Sequence, residues 1–178
     1  MAPDEPDPLQ RFPLYLIEAR EPDGPVYLLT FLTLEELEAV GGLHPHAIVG
    51  KILDPEAGIV PDNFARNRAF VEFMHGVIRR TVPTVLEYIV AAAEAGDGQI
   101  LVLDERATHA GRADEDPDVI GTFEVVGGRI VADSYAPAPD HWILNDDGIF
   151  TPHPAIQDAI LAALRAPVHW ESGRWTAP

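Results

Sequence analysis

Hydrophobic positions along the chain follow two rhythms, one of period two and one near 3.6, and the switches between them mark out its elements. Leu14–Ile17 and Val26–Leu32 are short apolar runs rich in β-formers, separated by Glu21-Pro-Asp-Gly-Pro25. Pro presets φ and Gly supplies a positive φ in such a segment, so an antiparallel hairpin is predicted. Thr33-Leu-Glu-Glu36 has the spacing of a capping box. It opens a short helix with Leu34, Leu37 and Val40 on one side and Gly41-Gly42 as its left-handed stop. Ala47–Leu53 reads as a strand with an irregularity at Gly50, running into an Asp54–Gly58 turn.

A stronger helical stripe follows in Phe70, Phe73, Met74, Val77 and Ile78, capped by Asn63 or Asn67. Pro83 suits the first turn of the next helix, whose inward stripe would be Val85, Leu86, Ile89, Val90 and Ala93, ended by Gly96. Gln99–Asp104 reads as a buried strand. Val119–Val126 and Arg129–Tyr135 flank Gly127-Gly128, which allows the type I′ turn that hairpins prefer. A last helix is predicted after Thr151, with Ile156, Ile160, Leu161 and Leu164 inward.

The predicted order, β-β-α-β-α-α-β-β-β-α, lacks regular βα alternation. It implies an α+β domain, with a mainly antiparallel sheet packed by about four helices on one face. Residues 1–12 are acidic and proline-rich and read as a flexible arm, residues 13–166 as the domain, and 167–178 as a tail that Trp170 and Trp175 can dock.

Composition narrows the function. A chain of 178 residues, 47% of them hydrophobic, can bury a core without staples. The absence of cysteine excludes disulfides, thiolate metal sites and cysteine nucleophiles. Twenty-nine acids against twelve bases give a net charge of −17. That field opposes binding to nucleic acid or anionic lipid and favours a basic or neutral protein partner. No apolar run has the length of a spanning helix, and the start lacks a signal peptide's basic and apolar regions, so a cytoplasmic location without membrane contact is expected.

Familiar catalytic motifs are missing: there is no Walker loop, no G-x-G-x-x-G, no H-E-x-x-H and no G-x-S-x-G. Asn145-Asp-Asp-Gly148 lacks the first acid of a calcium loop and reads as a plain turn. What remains is histidine with carboxylates. His44 and His46 have a spacing that can present two imidazoles to a metal, with Asp54 or Asp62 completing the set, but the plainer reading is a polar loop between a helix and a strand, and no metal site is expected. His75 lies on the helical stripe, as a packed core-edge residue or as a base. Asp104, Glu105 and His109 follow the central strand, where general acid–base groups often sit; the charged continuation with Asp114, Glu115 and Asp116 reads as a solvated loop that can meet a basic partner. Asp140-His141-Trp142 either forms a binding platform or tucks a long connection onto the core.

The leading expectation is therefore a cofactor-free binding or accessory module, of the inhibitor or immunity type, rather than an enzyme. The alternatives are a metal-dependent or acid–base hydrolase built from these His, Asp and Glu residues, and a small-ligand sensor using Trp142.

Overall fold

The computed structural model describes residues 12–106, 118–171 and 174–176. It has an α+β architecture of antiparallel sheets and, among the described residues, four α-helices. The first sheet is a meander, β1 (Tyr15–Glu21), β2 (Gly24–Thr30), β3 (Gly50–Ile52) and β4 (Phe64–Arg66), in that spatial order. The predicted hairpin forms with Glu21 opposite Gly24, whose φ of 129° is the conformation the turn demands.

Helix α1 (Leu34–Ala39) has the full reciprocal box. Thr33 Oγ1 accepts the Glu36 N–H at 3.1 Å and Glu36 Oε2 accepts the Thr33 N–H at 2.9 Å. Leu37 and Val40 are buried, whereas Leu34 faces solvent. The predicted Ala47–Leu53 strand shrinks to β3, because Pro45–Ala47 coil into a 3-10 turn before it. Asn67, not Asn63, caps α2 (Arg68–Thr81), its Oδ1 accepting from Ala69 N–H. Asn63 instead organises the Asp54–Gly58 turn, donating to both of those carbonyls.

Helix α3 (Leu86–Ala95) departs most from expectation. Val85 and Ala92 face the core, while Leu86, Ile89 and Val90, read from sequence as inward, are exposed. Pro83 sits in a separate 3-10 turn over 82–84 rather than in the first turn of the helix, which begins only at Leu86.

The second sheet joins β5 (Gly98–Asp104), β6 (Asp118–Val126), β7 (Arg129–Ile130) and β8 (Ala136–Pro137), with β6 bonded to the other three. Gly127 and Gly128 both take positive φ, as the type I′ reading requires. The long strand expected over 129–135 is broken after Ile130 by a 3-10 turn at Ala132–Ser134. Along β5, Ile100, Val102 and Asp104 point inward and are buried, while Leu101 points out. Two-residue strands β9 (Leu144–Asn145) and β10 (Gly148–Ile149) confirm Asn145–Gly148 as a plain turn, with Asn145 Oδ1 accepting the Asp147 N–H.

Helix α4 (Pro154–Leu164) packs against α2 with its predicted residues inward. The tail forms a backbone hairpin, β11 (His169–Glu171) with β12 (Arg174–Thr176), tied in by Val168 N–H to the Val40 carbonyl at 2.9 Å. One continuous cluster of buried side chains draws on both four-stranded sheets and all four helices. Phe12 belongs to it, stacked on Phe31 at 4.3 Å, so the last residue assigned to the arm is core.

Candidate functional site

The inward side of β5 ends in a charge rather than an aliphatic residue. Asp104 continues the alternation of Ile100 and Val102 and is fully buried, so its carboxylate must be satisfied internally. Four groups meet it. Oδ1 accepts from Thr151 N–H at 2.8 Å and from Arg106 N–H at 3.2 Å; Oδ2 accepts from His141 Nε2 at 2.8 Å. Arg106 Nε lies 3.2 Å from Oδ2 but is not aligned for a hydrogen bond, so that contact is coulombic.

The Arg106 guanidinium then reaches into the irregular 142–148 segment. Nη1 donates to the carbonyls of Gly148 at 2.9 Å and Ile143 at 3.2 Å, and Nη2 to that of Trp142 at 2.5 Å. A segment with few ladder bonds leaves buried carbonyls without donors, and one arginine supplies three of them. Glu105 N–H bonds the Thr151 carbonyl at 2.8 Å, and Asp104 bridges Pro152, so the start of α4 is fastened to the same strand end. Asp104, Arg106 and His141 thus form a buried clasp between β5, the 138–151 connection and α4.

A second polar layer adjoins the clasp. His75 on α2 and Tyr135 share a hydrogen bond, Nδ1 to phenol oxygen, at 2.7 Å. The Tyr135 ring packs on Phe123 and lies so close over Gly121 that a Cβ there would meet it at 2.6 Å. Burial, with repulsion from His141 adding to it, pushes the His75 imidazole down to about 4, so it is neutral at pH 7. Burial also raises the Tyr135 phenol, and it raises that of Tyr88 to about 12, helped by the negative charge of Glu105. Tyr88 meets the His153 ring edge-on at 5.7 Å.

Several expected site residues therefore converge and others do not. Asp104, Glu105, His75 and His141 gather around the strand end. Asp140 is exposed beside His141, and Trp142 is 65% exposed while its neighbours Ile143 and Leu144 are buried, so the connection tucks in without its tryptophan. His109, Asp114, Glu115 and Asp116 lie outside the described residues. His44 is buried and His46 exposed, their rings edge-to-face at 6.1 Å, with His46 stacked on Phe73. Desolvation lowers both imidazoles. Among the described residues no group of three His, Asp or Glu side chains is placed to hold a metal ion, and no helix is long and apolar enough to cross a membrane.

Sequence reasoning gave no role to Arg106, Tyr135 or His153. The signal for Arg106 was the Asp-x-Arg spacing at the end of an alternating strand, where an inward acid calls for a cation.

A different surface stands out on α3. Leu86, Ile89 and Val90 are 69%, 43% and 46% exposed, and exposed Ala93 extends the row at helical spacing. Glu87 and Glu94 border the row, and Asp97 follows the helix, all three exposed. On the side of Ile89 a hollow of about 260 Å³ opens between Pro83, Ala92, Gly128, Arg129 and Ile130.

Comparison with protein-family models finds no match, and comparisons with curated proteins and with solved structures find no significant similarity.

Proposed function

We infer that the protein is a cytoplasmic binding or accessory module, of the inhibitor or immunity type, for a basic polypeptide. The observation that supports this reading is the solvent-facing apolar row of α3 bordered by Glu87 and Glu94. Such a row on a soluble surface marks a contact site, and the acids around it favour a partner carrying Arg or Lys beside apolar side chains. A second copy of the chain is the poorer occupant, since each copy brings a net charge of −17. The buried clasp fits the same reading, because the acceptor capacity of Asp104 is taken up in holding the fold together.

The test is capture from native lysate by the wild type and by a Leu86→Glu/Val90→Glu variant, followed by titration at rising salt. A basic protein retained by the wild type, released as salt rises and lost with the variant supports the reading. Failure to retain any protein, equal capture by the variant, or affinity indifferent to salt overturns it.

A second reading, acid–base hydrolysis, is favoured by two hydrogen-bonded pairs, His75 with Tyr135 and His141 with Asp104, whose imidazoles are near enough to interact electrostatically. It requires turnover of activated esters or phosphodiesters that falls with His75→Gln and His141→Gln. A flat response across such a substrate panel removes it.

A further inference from the structure

The register of the first sheet sets Phe64 opposite Ile52 and Arg66 opposite Gly50. Residues two apart on a strand share a face, so Phe64 and Arg66 lie on the side of buried Ile52, away from Lys51 and Ala65. Gly50 makes room for this arrangement. A Cβ there would run into the Phe64 ring, so its absence lets the ring lie against β3. The 142–144 segment borders the same face, with Ile143 and Leu144 buried and the Trp142 and Ile143 carbonyls held by Arg106. Pro61 opens a 3-10 turn that Asn63 fastens, its amide nitrogen donating to the Asp54 and Gly58 carbonyls at 2.7 and 2.6 Å. Between these elements lies a hollow of about 120 Å³ lined by Pro61, Phe64, Arg66, Trp142, Ile143 and Leu144. An apolar space of this order takes a single ring.

Two of the lining residues have no evident part in holding the fold. Trp142 is 65% exposed, although the backbone on which it stands is fixed by the buried clasp. A large aromatic ring is therefore kept at the solvent edge of the hollow by a rigid support. Arg66 is exposed and forms no ion pair among the described residues, whereas Arg68, Arg106 and Arg165 each have a carboxylate partner. Among the described residues no carboxylate lines the hollow. Asp62 and Asp140, near its walls in the chain, are exposed.

We propose that this hollow binds a small aromatic monocarboxylate, its ring against Trp142 and Phe64 and its acid group on Arg66. Two aromatic walls supply apolar area and offset or edge-on ring contacts. The planar guanidinium fork matches a carboxylate with two parallel hydrogen bonds. Walls already fixed by backbone bonds leave little to be ordered on binding, which matters for a ligand with few atoms. The net charge of −17 sets the limit on ligand charge. A polyanion meets the repulsion of the whole surface, whereas a single acid group in direct contact with Arg66 lies well inside the screening length of about 10 Å at roughly 0.1 M salt. The inference is independent of the α3 surface, since no residue of that helix lines the hollow.

The experiment is an NMR titration of the isotope-labelled full chain at roughly 0.1 M salt with benzoate, neutral benzyl alcohol and ring-free acetate, repeated on the Arg66→Gln and Trp142→Ala variants. Both variants should fold, because Arg66 is exposed and Arg106 holds the Trp142 carbonyl rather than its ring. Benzoate should saturate with a Kd of about 1 mM and shift the Trp142 indole N–H. It should bind about threefold to tenfold tighter than benzyl alcohol and lose as much in Arg66→Gln, the worth of one partly solvated charge-assisted contact. Trp142→Ala should weaken benzoate about tenfold through loss of the ring wall. Absence of saturation by about 20 mM benzoate, equal binding of the alcohol or of acetate, or undiminished affinity in either folded variant overturns the proposal.

Discussion

His75 makes the stability of this protein depend on pH in a window that carboxylates alone do not explain. Its imidazole is held near 4 in the folded chain, against about 6.5 when unfolded. The folded value is the lower one, so between these limits the unfolded chain binds the extra proton. Stability from this residue is complete above about pH 6.5 and is lost as pH falls toward 4. The difference of about 2.5 units corresponds to about 3 kcal/mol at the acid end, a substantial part of a typical domain's stability. His44 and His46 are shifted in the same direction by desolvation and add to the loss. The perturbation is His75→Gln, which keeps a polar group for Tyr135 but cannot titrate. Urea unfolding at pH 7.5, 6, 5 and 4.5, at constant ionic strength, gives the free energy at each pH. The wild type should lose about 2–3 kcal/mol more than the variant between the ends of that series, and NMR titration should place the His75 midpoint well below that of an exposed imidazole. Parallel pH profiles for the two proteins, or an ordinary midpoint for His75, would refute the argument.

Other consequences concern the clasp, the cap and the exposed helix. Asp104→Asn leaves buried Arg106 with only the half-exposed carboxylate of Asp118, 3.5 Å away, and should cost about 3 kcal/mol in urea unfolding; in a double-mutant cycle Arg106→Met should recover part of it, because the poorly compensated buried charge is gone. Thr33→Ala removes one half of the capping box and should lower stability by about 1 kcal/mol, with helix loss confined to α1 in amide exchange. Gly121→Ala drives a Cβ into the Tyr135 ring and should cost about 1–3 kcal/mol, while shifting the His75 midpoint upward as its site opens. Val90→Glu should change stability by less than about 0.5 kcal/mol, since the side chain already faces solvent; a larger loss would mean that α3 is covered.

Local features were legible where the cause of structure is local. The Pro-Asp-Gly turn, the Thr33–Glu36 box, the Gly127-Gly128 turn, and the α2 and α4 stripes follow from backbone preferences and periodicity within a few residues. The stripe of α3 failed for a reason outside that range. Leu86, Ile89 and Val90 have helical spacing, but spacing says only that residues share a face. Packing against the sheet selected the face of Val85 and Ala92 instead, and the larger residues were left outside. Strand β4 was missed because three residues carry no period; it exists only because β3 offers an edge to pair with.

The candidate sites divide along the same line. The chain alone determined an α+β composition of elements, a cysteine-free acidic molecule and an inventory of imidazoles and carboxylates to be placed. Which of them met was decided in three dimensions. Asp104 and His141 lie 37 positions apart, and His75 and Tyr135 60 positions apart, so no local pattern records either bond. Burial of a charge is tolerable only when opposite charges and donors arrive from distant segments, and their arrival is a property of the packed fold.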